Sequence, residues 1–519
     1  MPQALFIFII EQAGRLARGF SRGQKHGRCR GGMSCLGTVR VTLRGEFCKT
    51  AIENARAGGQ NGRGWAEPPP RRCLPAVFLP SHQFEPMPSL TPPRVGTVAS
   101  GLSRRAHWAG GPGAISLLMA KTLARPDLVS LAAGFADYES LPVEPTGLAL
   151  ERIRSDGALA RAALQYGTTI GYPPLREAIL DRMLQADHAT AADLRMSLDQ
   201  VVLTAGSNQL LYLVSDVLLD PGDIVLCGAP SYFVYLATLA NLGARTVGVA
   251  TDADGLVPGA LDEELARLKA RGELPRVKAV YVTSYYDNPT GSTLAEDRRA
   301  ALVEIVQRWS RRQRIYLIED VAYRELHYYG EDVPSLRRFD PAGETVVAVG
   351  SFSKSYSPGV RVGWGILPER LLGPVLAEKG NLDFGSPSFN QVLMATVLRE
   401  GLYEGHVARL RAGYRVKVDA ILAAAEEFLG PIGGVSWIRP AGGLYLWLRL
   451  PEGIDTGLAG PLFSRAVDEG VLYVPGEDCF PQEGCPREKN HLRLSFGIQC
   501  CQSIRRGMQA LGRAVSATL

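Results

Sequence analysis

Lys354 closes the run Val349-Gly350-Ser351-Phe352-Ser353-Lys354, where an apolar stretch ends in small hydroxyl residues, and Arg361 follows seven positions on. Most lysines are solvated surface charges; one set at the end of an apolar strand is a candidate nucleophile. Ser351-x-x-Lys354 also has the spacing of a serine-nucleophile motif, but the chain lacks the Ser-Asp-Asn and Lys-Thr-Gly partners that this chemistry requires. In Ile318-Glu319-Asp320-Val321-Ala322-Tyr323 a carboxylate stands just past an apolar run, a costly place unless it is paired or caps a helix. Thr204-Ala205-Gly206-Ser207-Asn208 joins a strand to a helix with small residues, which offers bare backbone N–H groups to an anion or, more simply, an N-cap serine. Asn288-Pro289-Thr290-Gly291 and Pro230-Ser231-Tyr232 each follow an apolar run, and either could be an ordinary turn.

The elements that must carry these groups form a pattern. Apolar runs at 201–203, 223–227, 245–249, 277–283, 314–318, 345–349 and 363–367 read as short buried strands. Amphipathic stretches such as 208–219 and 295–311 lie between them. The alternation predicts an α/β fold, a mostly parallel central sheet flanked by helices, with its ligand beyond the carboxyl ends of the strands. The last hundred residues differ. A long helix at 402–428, strands near 435–438 and 444–448, a helix near 462–469 and a strand at 491–495 suit a smaller α+β domain. No internal repeat is found.

Composition limits the remaining classes. The chain has 519 residues, 46% hydrophobic and 21% charged, enough to bury a large core. No stretch reaches the roughly 18 uncharged apolar residues of a membrane span. Nine cysteines form no C-x-x-C pair, and with seven histidines they give no zinc spacing, as expected of reduced thiols in a cytoplasmic protein. The net charge of +5 is uneven: residues 1–100 hold 14 basic and 5 acidic side chains, the other 419 hold 43 and 47. The organised part is mildly acidic and offers no electrostatic case for nucleic acid.

Residues 1–100 are rich in Arg, Gly and Pro and show no sustained period, so a disordered basic extension is expected. It could be a solvated tail, an organelle transit peptide, or an upstream stretch included by a mis-assigned start. The last is favoured, with Met87 as the candidate start. A DNA-binding module would need amphipathic helices around a tight turn, and the Pro and Gly density argues against them.

Together the motifs are far more specific than any one of them. From about residue 102 to 511, SFSKSYSPGVRVGW, DNPTG, IEDVAY, TAGSNQ, PSYF, QYGTTIGYPPLREAI and RLSFG resemble the fold-type I pyridoxal-phosphate enzymes of the aspartate aminotransferase-like kind. They look most like class I/II aminotransferases of the 2-aminoadipate/kynurenine aminotransferase group. The resemblance implies a cofactor, pyridoxal 5′-phosphate, captured through its aldehyde by Lys354. Asp320 would pair with the protonated pyridine nitrogen, Asn288 and Tyr323 would hydrogen-bond the ring phenolate oxygen, and Tyr232 would stack on the ring. Ser207, Asn208, Ser351 and Arg361 would hold the phosphate. Tyr166 would reach the phosphate of a neighbouring subunit, which makes a homodimer with shared sites. Arg493 would bind the substrate carboxylate.

The implied reaction moves an amino group from an L-amino acid to a 2-oxo acid by a ping-pong route. The implied division is 101–150 as a segment of the small domain and substrate pocket, 151–400 as the large cofactor domain, and 401–519 as the small domain. Other pyridoxal-phosphate reactions (lyase, decarboxylase, synthase) share the scaffold. So do MocR-like regulators, whose DNA-binding module has no counterpart in this N-terminus. Three departures stand out: Asn208 where the family often has Gln, Leu131-Ala132-Ala133-Gly134-Phe135 in place of an AGG-type segment, and Asp287 where a neutral residue is common.

Overall fold

The computed structural model describes residues 101–108 and 127–519 except 312, together with 118, 121, 124 and 125. The expectations placed on residues 1–100, Met87 included, lie outside the described residues, as does most of 109–126 within the segment expected to border the substrate pocket. In chain order the strands are β1 (Val129–Ser130), β2 (Val201–Thr204), β3 (Ile224–Ala229), β4 (Arg245–Asp252), β5 (Gly255–Leu256), β6 (Val277–Thr283), β7 (Tyr316–Asp320), β8 (Val346–Ser351), β9 (Gly363–Ile366), β10 (Ser436–Trp437), β11 (Tyr445–Arg449), β12 (Val471–Leu472), β13 (Val474–Pro475) and β14 (His491–Ser495).

Eight of them make the main sheet, in the order β2-β9-β8-β7-β6-β3-β4-β5. The five central strands, from β8 to β4, run parallel. β9 is antiparallel to both β8 and β2, and β5 turns back on β4. The reversal at β9 has a local cause. Only residues 352–362 join β8 to β9, a connection too short for the crossover that a parallel pair requires. That link carries Lys354 and Arg361, so both are delivered to the carboxyl end of β8.

Period-two alternation packs the two faces separately. Val225, Cys227, Ala279, Tyr281 and Ile318 face helices Ser207–Leu218, Phe233–Asn241 and Glu369–Asp383. Ile224, Leu226, Val280 and Leu317 face helices Pro258–Ala270 and Glu296–Trp309. Each such side chain contributes about 1.5–3 kcal/mol by leaving water. The sheet has no solvated face over these strands, which is why they read as unbroken apolar runs.

The second sheet, β10-β11-β14-β13, is antiparallel. Helices Leu402–Phe428 and Cys501–Ser516 supply Tyr414, Val418, Ile421, Ile504 and Met508 to the core beside it. β1 pairs in parallel with β12, and the chain just after it bonds onward, Leu131 N to Leu472 O at 2.9 Å and Ser495 N to Leu131 O at 2.6 Å. Segment 128–134 is thus sewn to the C-terminal strands. Sequence reading placed Asp223 inside a strand. The structure starts β3 one residue later, because Asp223 Oδ2 accepts the Asp220 N–H at 3.0 Å and closes the preceding turn. The strand expected at 435–438 shrinks to two residues, hemmed by Gly434 at φ 83° and by Pro440.

Candidate active site

Five strand ends converge. Thr283 and Asp320 are paired neighbours at the ends of β6 and β7, and Ser351 ends β8 beside them. Tyr232 follows β3 and Ser207 follows β2. Ser207, Asn208, Tyr232, Asn288, Asp320, Tyr323, Ser351 and Lys354 line one cleft of about 380 Å³, with Thr283, Ala322 and Ser353. Eight of the eleven residues singled out in the sequence therefore share one cleft. Arg493 and Arg361 bond to its walls. Tyr166 is not among the lining residues; it stands 80% exposed, edge-on to Phe384 at 5.5 Å.

The adjacent carboxylates at the end of β7 have opposite fates. Alternation turns Glu319 toward helix Glu296–Trp309, where Ser284 Oγ donates to it at 2.7 Å, Leu336 N at 3.0 Å and Arg299 at 3.4 Å. Asp320 faces the cleft. It accepts from Ala322 N at 3.0 Å and Tyr281 Oη at 3.1 Å, and no cation among the described residues pairs with it. Burial pushes its carboxyl up to about 6, offset in part by those two bonds. A buried acid left short of a positive partner is a receptor for one.

Ser207 opens the helix Ser207–Leu218, and the first N–H groups of a helix have no partner within it. Gly206 adopts φ 90°, and a Cβ there would lie 2.5 Å from Arg361 Nη2. A Cβ on Gly363 would meet the backbone of Gly206 and Ser207 at 2.3 and 2.4 Å, so only glycine lets β9 lie against this helix start. Arg361 is itself left-handed, at φ 48°, a strained state for a side-chain-bearing residue. Its guanidinium makes only long bonds, to Ala205 O and Pro358 O at 3.3 Å and to Ser353 Oγ at 3.4 Å, with no carboxylate partner among the described residues. The helix start, Ser351, Ser353 and Arg361 form a cradle for an anion.

Lys354 Nζ donates to Gly134 O at 2.7 Å and lies 5.9 Å from the centre of the Tyr323 ring. Arg493, 1% exposed, donates to Asn288 Oδ1 at 2.7 Å and to Ala132 O at 2.8 Å. Its Nε is buried without a partner, and no carboxylate among the described residues neutralises it. Asp287, which sequence reading could not place, accepts from Thr290 Oγ1 at 2.8 Å, so it closes the Asn-Pro turn and holds Asn288 toward Arg493. Burial pushes its carboxyl up to about 6 as well.

Sequence reasoning missed Tyr281 and Tyr445, and it met Gly134 only within the Leu131–Phe135 segment, with no role of its own. Tyr445 Oη lies 3.0 Å from Tyr323 Oη. Tyr281 reads as one more apolar strand position, and Gly134 acts through its backbone, so neither carries a local signal. The assembled site offers a primary amine, an anion cradle, a buried acid awaiting a cation and a buried guanidinium awaiting a carboxylate.

Residues 126–500 match the family model described as aminotransferase class I and II. The chain is 34% identical over 395 residues to aromatic-amino-acid aminotransferase 1 of Thermococcus litoralis, covering 76% of this chain and 89% of that one. It is 34% identical over 404 residues to the 2-aminoadipate transaminase of Thermus thermophilus, covering 77% and 93%. The solved kynurenine aminotransferase of Pyrococcus horikoshii, in complex with PMP and with KYN and KYA as substrates and products, superposes with a TM-score of 0.73 at 31% identity, covering 81% of this chain and 98% of that one.

Proposed function

We propose that this chain, which belongs to the class I and II aminotransferases and is a pyridoxal-phosphate-dependent enzyme that moves amino groups, performs the exchange with Lys354 as the amine that captures the cofactor and carries the proton. The site fits that cofactor. Asp320 is a buried acid with no cation partner among the described residues, suited to a pyridine nitrogen that must stay protonated. The cradle of Ser207, Asn208, Ser351 and Arg361 suits the phosphate. When bound, pyridoxal phosphate supplies a conjugated ring that accepts the electron pair released at the substrate Cα. Everything else falls to the chain. Arg493 fixes the substrate carboxylate with two parallel donors and so orients the Cα–H bond. Once the substrate amine had displaced it from the aldehyde, Lys354 Nζ would be free to hold and move the proton released at Cα. Asn288 and Tyr323 would donate to the phenolate oxygen, and Tyr232 would cover the ring face.

The observation that carries this reading is the buried Arg493, bonded to Asn288 at the wall of the cleft that Lys354 lines and facing no carboxylate among the described residues. Two carboxylate-bearing substrates, an amino acid and a 2-oxo acid, take turns on it. We place the active form as a homodimer in which Tyr166 reaches the partner's phosphate cradle. Val143, Leu164, Tyr166 and Phe384, each more than half exposed, supply apolar surface for that contact. The described cysteines are free thiols, in keeping with a cytoplasmic enzyme. No helix among the described residues is long and apolar enough to cross a membrane.

The test is a stoichiometric mix of loaded enzyme with single L-amino acids, followed by visible absorbance. Loss of the visible absorbance of the bound cofactor, restored by a 2-oxo acid, is the expected result. Release of a side-chain fragment without that reversal would make the enzyme a lyase. Arg493→Leu should raise KM about 30-fold or more for donor and acceptor alike, since removing one partner of a buried charge pair costs about 2–5 kcal/mol, while cofactor loading stays intact.

A further inference from the structure

We propose that Tyr445 is a positioning residue that ties the carboxylate clamp to the hydrogen bond on the cofactor's phenolate side; the inference rests on the function proposed above. Tyr445 opens β11 and is 2% exposed. The Arg493 guanidinium lies 4.4 Å from the centre of its ring and 5.2 Å from that of Phe233, and it donates to Asn288 and to Ala132 O. Its hydroxyl meets the Tyr323 hydroxyl at 3.0 Å, with the two rings edge-to-face at 5.8 Å. A Cβ on Gly134 would stand 2.3 Å from that same hydroxyl oxygen, and Gly134 O is the acceptor for Lys354 Nζ. One side chain therefore touches the clamp, the phenolate donor and the glycine on which the amine rests.

Hydrogen counting fixes the direction of the Tyr323–Tyr445 bond. A hydroxyl has one proton. If Tyr323 donates it to the phenolate oxygen, the bond between the two tyrosines must be donated by Tyr445. A hydroxyl that accepts a bond becomes a stronger donor, by about a tenth to a third. Tyr445 thus sharpens the donation by Tyr323 through its hydroxyl and shelves Arg493 through its ring. The charged and titratable groups facing the two hydroxyls are Lys354 on the β8–β9 link, Arg493 on β14, Tyr232 after β3, and Tyr414 on the long helix. Removing the Tyr445 hydroxyl alters none of them covalently.

Two variants separate the roles. Tyr445→Phe keeps the shelf and loses the bond; Tyr445→Leu loses both. The loaded proteins are titrated with pH in the visible band without any amino donor, then assayed for kcat and KM. A hydrogen bond to an anionic oxygen favours its charged form, so weakening it should move the band midpoint of Tyr445→Phe upward by about 0.3–1 unit. Its kcat should fall about 3- to 10-fold with KM within about 2-fold. Tyr445→Leu should show the same band shift and, in addition, a KM raised about 10-fold or more, because the guanidinium loses the nearer of its two ring contacts and keeps only that to Phe233. An unmoved midpoint in Tyr445→Phe overturns the proposal, as does an equal KM change in both variants. The titration involves no amino transfer. An unmoved midpoint beside a wild type that converts donors therefore sinks the Tyr445 role alone, and a shifted midpoint beside a wild type that converts none sinks the proposed reaction alone.

Discussion

Lys354→Ala, incubated with pyridoxal phosphate and then borohydride, should gain no covalent mass on the segment around residue 354, where the wild type gains one cofactor. Its turnover should fall by at least about 1,000-fold, since a positioned proton carrier alone contributes about 100- to 10,000-fold and this residue also supplies the capturing amine. The structure makes the residue hard to replace. Lys354 sits on the short β8–β9 link, its Nζ anchored 2.7 Å from Gly134 O, and no other lysine among the described residues lines the cleft. Small primary amines in the buffer should restore part of the lost rate, because they can carry the proton through the space that alanine leaves. Lys354→Arg should not be rescued: the guanidinium keeps its proton at any working pH and fills that space. A Lys354→Ala enzyme that kept its turnover would remove the basis of the proposed reaction.

Asp320→Asn should lower kcat/KM between about 100- and 10,000-fold, the loss expected from breaking a buried charge pair worth about 3–5 kcal/mol. The same substitution should stabilise the protein without cofactor. The Asp320 carboxyl is pushed from 3.8 up to about 6 by burial, so its folded value lies above its unfolded one. The penalty of holding it charged is absent below about pH 3.8, grows as pH rises toward about 6, and is full above that. A shift of about two units corresponds to about 3 kcal/mol. The cofactor-free variant should therefore melt above the wild type at pH 7.5, and the gap should close as pH falls toward 4. Asp287 titrates over the same range, so the difference between variant and wild type, not either curve alone, isolates Asp320. Adding pyridoxal phosphate should raise the wild type's melting temperature more than the variant's, because only a charged carboxylate rewards a protonated ring nitrogen. A gap that is absent at neutral pH, or that widens on acidification, would show that Asp320 is not held charged against burial.

Parts of this site could be read from the chain because each is a local event. A run of buried apolar residues followed by small or polar ones marks a strand end, and strand ends on one edge of a parallel sheet must meet. Lys354, Asp320, Asn288, Tyr232 and Ser207 all stand at such ends, each of them bland alone, and it was the resemblance of the whole set to a known family that gave them roles. Element bounds fell within a few residues of expectation where apolar runs were sharp, and drifted where a turn residue such as Asp223 sat at the margin. Helix 402–428 has the predicted bounds, set by Gly401 before it and by the end of its apolar stripe.

Arg493 was assigned by resemblance, since an arginine in a short strand looks like surface. Its burial arises from Asn288, 205 residues earlier, and from Ala132 O, 361 residues earlier. Tyr445 and Gly134 have no pattern at all, because their roles consist of one hydroxyl and one carbonyl set against groups from distant segments. The amino-acid order by itself determined the α/β architecture from runs and neighbours along the chain, and, through the resemblance its motifs carry, pointed to the amine, the acid and the anion-binding helix start. Only the tertiary structure decided which carboxylate of Glu319 and Asp320 remains without a cation, where the guanidinium is buried and which tyrosine braces it. Those outcomes depend on close packing among segments hundreds of residues apart, and no local period encodes a distance across the fold.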